Sequence, residues 1–73
     1  MSIMENIRLE KFNIILKQLR VSEGLTQRQV AEKMGIRYQS YQAYEAGSTL
    51  PSMENLLKLC EVFEVTPNDL LDF

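Results

Sequence analysis

The chain has 73 residues, 45% of them apolar, with ten acidic and eight basic side chains, one cysteine and no histidine. That length suits one domain near the lower limit for a core without staples, and the apolar fraction suits a compact helical bundle. The lone Cys60 excludes an internal disulfide, the missing imidazole excludes histidine catalysis and most zinc sites, and no apolar run approaches the roughly 20 residues of a membrane span. With no signal-peptide pattern at the start, these features predict a cytoplasmic protein.

No low-complexity tract, repeat or linker interrupts the sequence, and its punctuation predicts five helices in a single domain over residues 1–73. The first helix is expected from about Glu5 to Ser22, with Phe12, Ile15, Leu16 and Leu19 on one face. Ile7 and Ile14 lie partly off that stripe and can complete the core, and Gly24 ends the helix. Thr26 can cap a second helix through its hydroxyl while Gln29 returns a side-chain bond, which puts Val30, Ala31 and Met34 on one buried face. Gly35 follows directly, and only glycine stops a helix in the left-handed conformation without a Cβ penalty. A third helix is expected from about Tyr38 to Glu45, with Tyr41 and Tyr44 facing the second helix and Tyr38, Gln39, Gln42 and Ala43 facing outward. Residues 47–51 read as a surface loop. Ser52 caps a fourth helix in which Met53, Leu56, Leu57, Cys60 and Phe63 repeat with helical spacing. Thr66 and Pro67 open a fifth, where Asp69 suits the first turn and Leu70, Leu71 and Phe73 give an apolar side.

Two short helices joined by a tight turn occupy residues 26–46, and the second presents planar amides that fit the DNA major groove. Gln39 and Gln42 can each make a two-pronged contact to adenine, or remain solvated like any glutamine on an exposed helix. Tyr38 can stack along the sugar-phosphate backbone or meet a thymine methyl. Arg37 can bind phosphate or guanine, and Arg28 phosphate. Gln27 stands where backbone N–H groups and its own amide can hold a phosphate oxygen. A sequence pI near 5.0 opposes phosphate at long range. The charge is unevenly spread, however: residues 1–44 carry seven bases and four acids, whereas residues 45–73 carry six acids and only Lys58. Cys60 reads as core, and Glu61 with Glu64 and Asp69 with Asp72 read as a solvated acidic face. With no glycine-rich phosphate loop and no catalytic constellation, neither an enzyme, a cofactor, a metal site nor a small-molecule ligand is expected.

From about Leu16 to Leu71 the chain resembles the helix-turn-helix family of phage repressors and Cro proteins, the XRE-like family. The resemblance rests on Leu25-Thr26-Gln27 entering the second helix, Ala31 at the helix crossing, Gly35 at the turn, Glu45 and Gly47 ending the third helix, and Pro51-Ser52 before the fourth. It implies an all-α fold, a compact five-helix bundle with a central helix-turn-helix of the lambda-repressor-like DNA-binding kind. It further implies sequence-specific binding of double-stranded DNA as a transcriptional regulator, most often a repressor, with residues 38–45 in the major groove and the protein nucleoid-associated when bound. By the same resemblance Arg20 and Glu45 form a partly buried structural salt bridge, and Gln27 also touches the recognition helix. A homodimer is expected, since one short helix reads too few base pairs. Its surface is assigned to the fifth-helix region, with Val65, Leu71 and Phe73, although these residues can instead close the core of a monomer.

Five residues depart from the family pattern. Arg37 stands where Ser or Thr often caps the third helix, and Arg accepts no hydrogen bond. Ser48 and Thr49 replace a common Lys or Arg, leaving hydroxyls and backbone amides to hold phosphate. Tyr41 and Tyr44 replace aliphatic residues, so their hydroxyls need partners or water. A second function class is a protein-interaction module of the same fold, antitoxin-like or regulator-binding, whose acidic carboxy-terminal half meets a basic partner.

Overall fold

The computed structural model describes the backbone of residues 2–72 and the side chains of residues 11–72. Among them are five helices and no strand: α1 (Ser2–Ser22), α2 (Gln27–Met34), α3 (Tyr38–Ala46), α4 (Met53–Phe63) and α5 (Pro67–Leu71). The readings made for the Ile7 side chain and for Phe73 lie outside the described residues.

Local chemistry sets most of the boundaries. The Thr26 hydroxyl accepts from the Gln29 N–H at 3.1 Å while Gln29 Oε1 accepts from the Thr26 N–H at 2.8 Å, a closed capping box. Gly35 ends α2 at φ 72°, and its N–H returns to the carbonyls of Ala31 and Glu32. Ser52 caps α4 by accepting from the Asn55 N–H, and Thr66 with Asp69 forms a second capping box at α5. As its chemistry requires, Arg37 at the start of α3 makes no side-chain cap bond. At the end of α4, Glu64 adopts φ 55°, a left-handed position that its sequence does not advertise.

One core joins all five helices. Phe12 and Leu16 of α1, Val30, Ala31 and Met34 of α2, Tyr41 and Tyr44 of α3, Leu59, Cys60 and Phe63 of α4 and Leu70 of α5 are buried together. Ile15, Leu19 and Leu25 pack around them. α2 packs on α3 and α4, and α1 lies against α3 and α5.

Two expectations need correction. Met53 and Leu57 are not on the buried stripe of α4: they are 72% and 50% exposed, while Leu59 is fully buried. The buried row is Leu59, Cys60 and Phe63, with Leu56 partly buried one turn before them, also a helical repeat, and this side of the helix faces α2 and α5. Ile14 does not complete the core but stands exposed, two residues from both Phe12 and Leu16 and so on the far side of the helix. Val65 and Leu71, candidates for a dimer surface or for core closure, are partly buried and packed against the core.

Candidate DNA-binding face

The start of α2 and the whole of α3 are braced by one carboxylate. Glu45, near the end of α3, receives Arg20 Nε at 2.6 Å and Arg20 Nη2 at 3.2 Å, while Gln27 Nε2 donates to it at 3.1 Å. The Tyr41 hydroxyl donates to the same group from one turn earlier. Arg20 Nη1 reaches the Leu25 carbonyl at 2.9 Å, and Asn13 Nδ2 donates to the Glu45 carbonyl at 3.3 Å. Side chains from α1, α2 and α3 thus meet on a group only 5% exposed. Burial by itself disfavours the charged carboxylate, but the donors from Arg20, Tyr41 and Gln27 outweigh it and hold Glu45 below its usual range. Bonding to Glu45 raises Arg20, and burial followed by the Glu45 contact pushes Tyr41 well above the phenol range. All three therefore keep their bonding protonation states at neutral pH.

The two inward tyrosines both have partners, one within α3 and one across to α4. Tyr41 uses Glu45, and Tyr44 accepts from Asn55 Nδ2 at 2.9 Å, which ties α3 to the first turn of α4. No buried side-chain nitrogen or oxygen among the described residues lacks a partner.

The outer surface carries the polar residues singled out above. Gln39 and Gln42 are exposed on α3, Ala43 is half-buried beside them, and Arg37 is exposed at the helix start. Arg28 of α2 places its guanidinium carbon 4.0 Å from the centre of the Tyr38 ring, and Gln42 Nε2 donates to the Tyr38 hydroxyl at 3.2 Å. Sequence reasoning missed this unit, although the Tyr38-to-Gln42 spacing of one helical turn was its available signal. Beside it lies an open groove lined by Arg20, Leu25, Thr26, Gln27, Arg28 and Tyr38. The Gln27 and Arg28 N–H groups belong to the first turn of α2, where a helix offers no acceptor of its own.

Ser48 differs from its reading. Its backbone N–H is bonded to the Ala43 carbonyl at 3.0 Å as part of the stop at Gly47, so this amide is not free for phosphate and only the exposed hydroxyl is available. Gln27 likewise has one amide hydrogen on Glu45 and offers the other. Cys60 is buried, and burial, with the nearby Asp69 charge, raises its thiol above the usual value, the opposite of an activated nucleophile. No group of His, Cys, Asp or Glu among the described residues is arranged to hold a metal. No helix of the described residues is long and apolar enough to cross a membrane.

Comparison with known proteins agrees with this geometry. Residues 16–70 match the model of a helix-turn-helix family. The chain is 44% identical over 45 residues to the cryptic phage CTXphi transcriptional repressor RstR of Vibrio cholerae, a match spanning 62% of this chain and 40% of that protein. It is 41% identical over 56 residues to the uncharacterized HTH-type transcriptional regulator YobD of Bacillus subtilis, spanning 77% of this chain and 50% of that one. The chain thus spans half or less of the length of these two curated relatives. Among solved structures, the restriction-modification controller protein C.AhdI of Aeromonas hydrophila superposes with a TM-score of 0.79 at 32% identity, covering 85% of this chain and 94% of that one. By its matching residues and its fold, the chain belongs to the helix-turn-helix family of the phage repressor and Cro type.

Proposed function

We propose that this protein binds double-stranded DNA sequence-specifically as a transcriptional regulator, in the sense of a repressor, with α3 in the major groove. The observation that carries the reading is the combination on one face of exposed Gln39 and Gln42 with a helix rigidly held by the Arg20–Glu45–Gln27 brace. Rigid placement matters because a base contact needs its side chain delivered at fixed depth and angle. Arg28, Arg37, the second amide hydrogen of Gln27, the first-turn N–H groups of α2 and the Ser48 hydroxyl serve the phosphates on either side. Gln39 and Gln42 read base edges, and Ala43 offers a small apolar surface for a thymine methyl.

The functional unit is a homodimer formed through the α5 region, because one short recognition helix reads too few base pairs for an operator. The described chain acts as one domain in the cytoplasm, associated with the nucleoid when bound, and performs no catalysis. Family resemblance to a named repressor supports the sign of regulation. Selection of sites from random duplex DNA tests the reading: a pseudo-palindromic winner bound by two chains is expected, and recovery of no consensus above input would overturn it.

A further inference from the structure

The Tyr38 unit has a consequence for which base Gln42 can read. An isolated glutamine amide turns freely and can present either its oxygen or its nitrogen to a given base edge. Here Nε2 of Gln42 donates one hydrogen to the Tyr38 hydroxyl at 3.2 Å. The other Nε2 hydrogen and Oε1 remain unengaged by any hydrogen bond among the described residues. That remaining pair, one donor beside one acceptor, complements the N7 acceptor and N6 donor of adenine, whereas guanine presents two acceptors. The Tyr38 ring is itself held, with the Arg28 guanidinium against its face at 4.0 Å, so the hydroxyl cannot swing away without losing that contact. Stacking uses the face of the guanidinium and leaves its N–H donors available.

We propose that Tyr38 is a specificity-determining positioning residue: its hydroxyl fixes the Gln42 amide so that this side chain reads adenine. The proposal rests on the DNA-reading function above and deepens it. Tyr38 connects a phosphate-side residue of α2 to a base-reading residue of α3, which makes Arg28, Tyr38 and Gln42 one unit rather than three contacts.

The test is a base-preference profile for the whole chain, measured on every single-base variant of the selected duplex, for the parent, Tyr38→Phe, Gln42→Ala and the double variant. Tyr38→Phe keeps the ring and its Arg28 contact and removes only the hydroxyl. At the base pair whose preference Gln42→Ala abolishes, Tyr38→Phe is expected to reduce discrimination for adenine roughly 3- to 10-fold, the effect of one net hydrogen bond. The loss is expected to be confined to that base pair, and the double variant to match Gln42→Ala. Unchanged adenine preference in Tyr38→Phe would overturn the proposal, as would a uniform loss on all sequences. A parent protein that selects no sequence would instead overturn the DNA-reading function, and the proposal with it.

Discussion

Glu45 collects donors from α1, α2 and its own helix, so its removal orphans several groups at once. Replacing it leaves the Arg20 cation, itself only 14% exposed, without a counter-charge, a change that typically costs about 3–5 kcal/mol. Glu45→Ala is therefore expected to lower urea stability by about that amount at pH 7; a loss below about 1 kcal/mol would show that the brace contributes little. Because the folded carboxylate titrates below its ordinary value of 4.5, its contribution is fully present above that pH and is lost as pH falls through the folded value. The stability gap between the parent and Glu45→Gln should accordingly narrow below about pH 4.5, and a gap that stayed constant to pH 2 would contradict the assigned ionisation. For DNA, Gln39→Ala should relax base preference with little change in salt slope, while Arg28→Ala should weaken all sequences alike and reduce the slope by about 1. Equal effects of both variants on selected and random DNA would deny Gln39 its base-reading role. At this scale the sequence was only partly legible. The Arg20–Glu45 pair was visible through family resemblance, since residues 25 apart show no local periodicity. The partner of Tyr44 and the stacking of Arg28 on Tyr38 depend on how helices meet, which no spacing displays, whereas Tyr41 meets Glu45 one turn along its own helix.

Among the elements, α2 and the turn after it were the most legible, because Thr26, Gln29 and Gly35 each act within a few residues of chain. Ala31 of α2 sits 2% exposed in the core, and α2 packs against α3 and α4. Ala31→Leu should force those helices apart at a cost of roughly 1–3 kcal/mol, and a thermal melt matching the parent would refute the close crossing. α4 was less legible, since apolar residues at 53, 56, 57, 59, 60, 62 and 63 allow two overlapping stripes and only the docking of α2 and α5 selects between them. Its end was hidden as well, because Glu64 takes a left-handed conformation usually given to glycine. Glu64→Gly should relieve that penalty and stabilise the protein by about 1 kcal/mol in chemical denaturation. A destabilised variant would mean that Glu64 makes compensating contacts.

Over the whole molecule, net charge was the least informative quantity and its distribution the more useful one. Arg28, Lys33 and Arg37 are exposed around α2 and α3, whereas Glu54, Glu61, Glu64, Asp69 and Asp72 are exposed on α4, α5 and their ends. An acidic protein can therefore offer DNA a locally basic face while its opposite charges weaken binding to random sequence. The five-helix bundle was legible from composition, caps and periodicity together; for Val65 and Leu71 the sequence left a dimer surface and core closure both open, and in one chain both are partly buried against the core. The central claim is that α3 reads sequence from a rigid scaffold, and one titration tests it most directly: affinity for the selected duplex against a scrambled duplex as salt rises. Tight binding to the selected duplex that survives physiological salt, with the scrambled duplex lost, is the predicted result. Parallel loss of both duplexes would mean that the protein holds phosphates without reading bases, and would contradict the account.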